Sequence, residues 1–390
     1  MDHLEPARTL KRKTSKSAFK FWQTAGLDMT FLSLVLIILG VGLIMLFSAS
    51  YPFALAHYNN SYLFISKQFV FAIIGIGIMY FVSRIDYHFL RKFAWILYFV
   101  SIGFLIIVLI LPPMSEGFDY KRWIELGPIQ FQPSEIAKFS IVLLFAHLIA
   151  ANQQQMKKFT FGVIFFLGLL VAVCGLVVFE PHLSATLLIF SIGICMMIVG
   201  GIKLWYLLVG LGGGVAIAAI AIATKIVDYG GGRIKYWLDP WADATGDGYQ
   251  TIQSLLSIGS GGLFGRGIGG SRQKYLWVPE PHNDFIFSII AEELGLLGSM
   301  IIILLFCMLV WRGFVIAMRA PDKFGALLAV GLTFQVGVQA ALNIMVVTNT
   351  IPNTGISLPF FSYGGTSLLM LLAQMGVVLS ISRQSKLEKT

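Results

Sequence analysis

The chain has 390 residues, 57% of them hydrophobic and 12% charged, with a net charge of +9 and a mean hydropathy of +0.81. Roughly one-quarter of a soluble globular domain is charged, so this composition excludes that class and predicts an integral membrane protein. Cys174, Cys195 and Cys307 all fall in apolar runs and form neither a disulfide framework nor a metal-ligand spacing.

Apolar runs able to cross about 30 Å of hydrocarbon are predicted at residues 29–49, 67–83, 93–111, 135–151, 159–179, 183–200, 205–224, 284–311, 324–347 and 363–382. The expected fold is an all-α polytopic bundle of about ten transmembrane helices. It fills residues 29–382, between a basic tail (1–28) and a short C-terminal tail (383–390). Ala54-Leu55-Ala56 resembles a signal cleavage site, but the run from Met29 to Phe47 is too long for a signal core and reads as an uncleaved first span.

Basic residues set the orientation. Six precede Asp28, and Arg84, Arg91, Lys92, Lys157, Lys158, Lys203, Arg312, Arg319, Lys323, Arg383, Lys386 and Lys389 fall on the same side, which is therefore cytoplasmic and holds both termini. The opposite side collects acids: Glu116, Asp119, Glu125, Glu180, Asp228, Asp239, Asp243, Asp247, Glu280 and Asp284. The positive charge is thus a topology signal, and it implies no nucleic-acid partner.

Two outward loops stand out. Residues 112–134 hold Lys121, Arg122 and Trp123, and residues 225–283 form the longest segment outside the spans. A loop that long is functional or disordered. Its Trp, Tyr and Gly content and the apolar stretch Tyr249 to Ile258 predict order at the outer membrane surface.

Glu135 and Lys138 lie one helical turn apart at the outer end of the fourth span, where Ser134 is a candidate cap. Ionisable residues in a span pair with one another or line a polar cavity. Both readings stand: a structural ion pair, or Lys138 beside an anionic ligand. Arg233, Lys235, Arg266, Arg272 and Lys274 form either a solvated cationic surface or a clamp for phosphate oxygens. Gly265 to Gly270 match G-x-G-x-x-G, but a dinucleotide site needs a strand and a βαβ unit. The glycines read instead as bends where the backbone approaches a ligand closely.

The stretch VPEPHNDFIFSIIAEELG, residues 278–295, places Glu280, Asp284, Glu292 and Glu293 at and inside a span. Pro279 and Pro281 forbid helix before His282, Asn283 can cap, and the run from Phe285 starts the helix. Asp284 then sits at the level of lipid headgroups. Glu292 falls about two turns deeper and roughly 80° around the helix, placed to share a cavity with Asp284, while Glu293 faces away toward a partner of its own. A capping carboxylate contributes under about 1 kcal/mol and leaves the deeper acids unexplained. Ionisable residues clustered in a span point to a functional site.

These residues carry a resemblance to the SEDS family (shape, elongation, division and sporulation) of peptidoglycan glycosyltransferases, and within it to the FtsW and SpoVE branch. The matching pieces run from Ser48-Ala49-Ser50, through Gln132-Pro133-Ser134-Glu135, Ser271-Arg272-Gln273-Lys274 and Pro279 to Phe287, to Leu358-Pro359-Phe360-Phe361-Ser362-Tyr363-Gly364-Gly365-Thr366-Ser367. The resemblance implies that Asp284 is catalytic and that Glu135 and Lys138 belong to the site. His282, Glu292, Ser362 and the loop cations become substrate-binding candidates. It further implies lipid II and a growing glycan strand as substrates, with a divalent cation (Mg or Mn) as candidate cofactor. The implied partners are a class B penicillin-binding protein and other division or sporulation proteins. The setting is the bacterial cytoplasmic membrane, with the active site on the extracellular side.

The reaction implied inverts the anomeric carbon. Asp284 would be the general base on the acceptor hydroxyl, and Lys138 with the loop Arg and Lys residues would meet the departing pyrophosphate. This chain departs from the family at Glu180-Pro181-His182-Leu183-Ser184-Ala185-Thr186, where Gln-Pro-Asp-Leu-Gly-Thr is common, so His182 inherits no role. Asn283 and Asn349 stand where Thr and Gly are common. The rival readings are a lipid II flippase and a non-catalytic scaffold of a division complex. Carboxylates concentrated in the outer half favour the enzyme over the flippase, and a scaffold has no need of Asp284.

Overall fold

The computed structural model describes residues 26–111, 122–126, 129–180, 182–206, 231–246 and 248–385. Backbone groups in hydrocarbon must be satisfied within the segment, and the apolar runs accordingly form helices: α1 (Met29–Tyr58), α2 (Leu63–Arg84), α3 (Ala94–Ile110), α4 (Pro133–Ala151), α5 (Phe166–Phe179) and α6 (Leu183–Val199). After these come α7 (Gly231–Leu238) and α8 (Tyr249–Gly261) in the long loop, then α9 (Ile286–Met318), α10 (Lys323–Val347) and α11 (Gly365–Gln384). Among the described residues, eight helical segments are long and apolar enough to span, and α6 is a shorter apolar helix. Nine expected spans are therefore present; the one expected at 205–224 lies, beyond residue 206, outside the described residues.

Local signals set the helix ends. Asp28 caps α1 by accepting from the Phe31 amide at 2.9 Å, and its carboxylate is 2.7 Å from Arg312 at the far end of α9. Asp322 caps α10 through the amides of Phe324 (3.1 Å) and Gly325 (3.3 Å). Helix α1 is longer than expected, and Ala54-Leu55-Ala56 is helix interior with Ala54 fully buried. Between α3 and α4, where only a loop is expected, a small antiparallel hairpin pairs β1 (Ile124–Leu126) with β2 (Ile129–Phe131).

Helix α4 is central, packing against α3, α6 and α10, while α11 packs most extensively against α2. Hydrocarbon tails are as apolar as leucine, so close packing rather than water exclusion holds such helices together. On the outer face of α9, Leu296, Leu297, Met300 and Ile301 remain exposed, as lipid-facing residues should.

Helix α9 breaks at Gly295, where φ is 68°. The loop after α8 repairs the break. Leu296 and Leu297 amides donate to Gly262 and Leu263 carbonyls (2.9 and 3.1 Å), and Arg266 and Gly267 amides donate to Glu292 and Glu293 carbonyls (3.0 and 2.9 Å). A Cβ on Gly295 would sit 2.6 Å from the Leu263 carbonyl oxygen. The glycine-rich motif therefore does bend the loop, with Gly265, Gly267 and Gly269 all at positive φ. What it approaches closely is the backbone of α9.

Candidate active site

A cavity of about 700 Å³ opens at one end of the bundle, walled by α1, α2, the hairpin, the starts of α4 and α6, and the segments around Asp284 and residues 355–371. Asp284 lines it from just before the first helical residue, Ile286; α9 is N-capped by Phe285 without a side-chain bond, so neither Asn283 nor Asp284 caps it. The backbone here is tied from several sides. Asn343 Nδ2 donates to the carbonyls of Asp284 (2.7 Å) and Ile356 (2.6 Å), Ser362 Oγ donates to Asn283 (2.8 Å), and the Tyr363 amide donates to His282 (2.9 Å). Gly355, at φ 67°, passes so close that a Cβ there would lie 3.1 Å from Asp284 Oδ2. Burial, with help from the Glu280 carboxylate, pushes the Asp284 carboxyl up to about 6, against the opposing pull of Arg122.

Lys138 enters the same cavity, almost fully buried. Its Nζ donates to Glu135 Oε1 (2.8 Å) and to Gln339 Oε1 (3.1 Å). Pro133 occupies the first turn of α4, whose N-cap is Gln132; Ser134 lines the cavity and is not the cap. His282 is wedged among rings, 4.4 Å from Phe64 and 4.9 Å from Phe53, and burial holds it down to about 4. Ser362 lines the cavity too, but its Oγ is engaged in fixing the segment, accepting from the Leu358 amide at 2.7 Å. His182 also faces the cavity and is driven down to about 3 by burial, with Arg122 and Lys138 adding to the effect. Nearby in sequence, burial pushes Glu180 up to about 8, opposed by Arg122.

Four of the five loop cations are not brought to this cavity. Lys274 is fully buried against Glu293 at 2.8 Å, Arg266 lies 3.6 Å from Glu292, and Lys235 sits over the Tyr236 ring at 5.6 Å; neither these three nor Arg272 lines the cavity. The side chain of Arg233 lies outside the described residues. Glu292 does not share the cavity with Asp284. The helical count of 100° per residue fails because Asp284 precedes the helix, and Glu292 is enclosed instead by the Ser271 hydroxyl (2.5 Å) and loop amides. Among the described residues, the cavity's cations are Lys138, Arg122 and Lys67. Arg122 was visible as a basic neighbour of Trp123, and Lys67 as a charge at the edge of a span. Asn343 and Gln339, polar residues inside an expected span, carried the same signal.

Fold and site together define a polytopic helical membrane protein with a polar chamber at one face, holding a carboxylate of raised pKa near a buried lysine. A family model described as "Cell cycle protein", covering FtsW, RodA and SpoVE, matches residues 29–387, and the chain belongs to that family. It is 38% identical over 363 residues to stage V sporulation protein E of Bacillus subtilis (strain 168), covering 92% of this chain and 98% of that protein. It is 35% identical over 362 residues to a probable peptidoglycan glycosyltransferase FtsW of Geobacter sp. (strain M18), covering 93% and 98%. Among solved structures it resembles a chain described under "Structural coordination of polymerization and crosslinking by a peptidoglycan synthase complex", with a TM-score of 0.77, 28% identity and coverage of 93% and 99%. It also resembles the rod shape determining protein RodA of Thermus thermophilus, at a TM-score of 0.68, 27% identity and the same coverage.

Proposed function

We propose that this chain is a peptidoglycan glycosyltransferase that polymerises lipid II into glycan strands, with Asp284 as general base. Relatives named for that activity at 35% identity support the reaction class, and one observation carries the residue assignment: the Asp284 carboxyl, raised to about 6, lies on the wall of a polar chamber near the opposing charge of Arg122. A base works best with a pKa near the working pH. In the inverting reaction Asp284 takes the proton of the acceptor 4-hydroxyl as that oxygen attacks the anomeric carbon. Lys138 and Arg122, which line the chamber, would meet the negative charge that develops on the departing pyrophosphate, in preference to the loop cations.

A divalent cation, Mg or Mn, fits only as an ion carried on the substrate's phosphates, since such ions bind through one or two carboxylates plus phosphate oxygens. Among the described residues no group of three or more His, Cys, Asp or Glu side chains gathers to hold one, and no step above depends on it. The partner proposed is a class B penicillin-binding protein, which would crosslink the product. The setting is the cytoplasmic membrane, with both termini inside and the chamber outside.

In a polymerisation assay on purified lipid II with that partner present, Asp284→Asn should lose roughly 10²- to 10⁴-fold in rate while still inserting and binding the partner. Near-normal polymer from that variant would sink the assignment, and lipid II transport without polymer would favour the flippase. For topology, in a background without the three native cysteines, Thr245→Cys should react with an impermeant thiol reagent outside intact cells and Arg319→Cys should not. The reverse pattern would turn the chamber to the cytoplasm.

A further inference from the structure

The segment Ser271–Lys274 leads through Pro279 and Pro281 to Asp284, and two adjacent carboxylates of α9 grip it. Glu292 accepts from Ser271 Oγ (2.5 Å) and from the amides of Arg272 (2.9 Å) and Gln273 (3.3 Å). Glu293 accepts from Lys274 Nζ (2.8 Å), from Ser48 Oγ of α1 (2.7 Å) and from the Ser271 amide (3.4 Å). Lys274 Nζ also donates to Ser48 Oγ at 3.1 Å. Glu292, Glu293 and Lys274 are all fully buried. The bond from the Arg272 amide to Glu292 Oε1 closes a ring through that side chain over a separation of 20 residues, and Asp284 lies within the ring.

We infer that Glu292 and Glu293 are positioning residues, which clamp Ser271–Lys274 to α9 and α1 and thereby fix the backbone that carries Asp284 on the chamber wall. The inference rests on Asp284 being the base. Burying carboxylates is costly even after relaxation, and apolar packing of the same volume is often as stable. What carboxylates add is direction, because each fixes several donors at hydrogen-bond length, and a catalytic group needs such support to within about 0.5 Å. The clamp holds residues 271–274, and the ties made by Asn343, Ser362 and Tyr363 hold residues 282–284, so the segment is held at both ends.

The test uses the full chain with its partner and lipid II, measuring kcat, KM, the pH profile and Tm. Glu292→Gln keeps the shape but removes a charged acceptor. The double variant Glu293→Gln with Lys274→Met removes the ion pair without stranding a charge and serves if the first fails to fold. Both should lower kcat by roughly 10- to 100-fold, as misplacements near 1 Å do, with KM little changed. Opening the ring should also admit water to Asp284 and move the acid limb of kcat to lower pH. The other groups around Asp284 (Glu280, Arg122, Glu135, Lys138, His182 and His282) stay intact in these variants. Unchanged kcat overturns the inference, as does a kcat that falls only with the folded fraction while the acid limb stays put. Asp284→Asn in the same assay separates the two ideas: activity there defeats the reading of the base, whereas an inactive Asp284→Asn beside normal clamp variants defeats the clamp alone.

Discussion

Two clusters of ionisable side chains flank the segment that ends at Asp284, and they differ in what they leave unmet. In the clamp, Glu292, Glu293 and Lys274 are saturated with partners and closed to solvent. In the chamber wall, buried His182 Nδ1, His282 Nδ1 and Gln335 Oε1 have no hydrogen-bond partner among the described residues, and the space beside them is open. Native proteins leave few buried polar atoms unpaired. Charge alone therefore does not separate a ligand site from a scaffold; unmet hydrogen-bond capacity beside a cavity does.

The strongest challenge to that distinction is to exchange charges in the chamber. Glu135→Lys with Lys138→Glu preserves the attraction but turns a carboxylate toward an anionic leaving group. Turnover should fall by roughly 100-fold, the scale of a lost electrostatic stabiliser, and lipid II binding should suffer less. An exchanged protein that polymerises at the normal rate would move the pair to the scaffold side.

Removing a tie within the chamber wall should cost both stability and rate. Asn343→Ala leaves the carbonyls of Asp284 and Ile356 without their donor, each at about 1–3 kcal/mol. Lower thermal stability and roughly tenfold lower kcat are expected, and a normal kcat would show that Asp284 is held well enough without it. On the scaffold side, Gly295→Ala forces a side chain into positive φ against the Leu263 carbonyl. It should destabilise by roughly 3 kcal/mol, read as a drop in Tm, with activity per folded molecule near normal.

The chamber should also respond to pH. The Asp284 carboxyl is raised to about 6, and a base must be deprotonated, so rate should climb as pH rises through about 6 and level off above it. A profile flat down to pH 4, the ordinary carboxylate range, would contradict the burial of that group. The smallest effect belongs to Arg272→Ala. That exposed side chain does not line the chamber, so stability should stay within about 0.5 kcal/mol and turnover should hardly change. A large loss of turnover would restore the loop clamp for pyrophosphate.

Hydropathy made most of the fold legible, because a hydrocarbon core demands long apolar helices and little else. Glu135, Lys138 and Asp284 could be singled out since charge in an apolar context is conspicuous, while His282 and Ser362 entered through the family resemblance, and all five line the cavity. Glu292 looked alike for the first reason and Lys274 as a loop cation, and both went elsewhere. The broken helix at Gly295 and the turn before Ile286 changed the directions that regular periodicity assigns. Arg122 owes its place to a hairpin whose strands are only three residues each, too short for alternation to register. Which cations meet in space depends on such local backbone irregularities, and hydropathy does not encode them.

The packing of α11 on α2 has a consequence for biosynthesis. Gln68 of α2 donates to the Ser362 carbonyl at 3.3 Å and accepts from the Gly364 amide at 3.2 Å, partners that lie 294 and 296 residues downstream. At roughly 5–20 residues per second of translation, α2 waits in the bilayer for about 15–60 seconds with that polar group unpaired. The chamber takes one wall from the first helices and another from the last, so no nascent chain contains it. A chain that stops before α11 would carry Asp284 without that wall of the chamber around it, so the chamber closes only once the last of these helices has inserted.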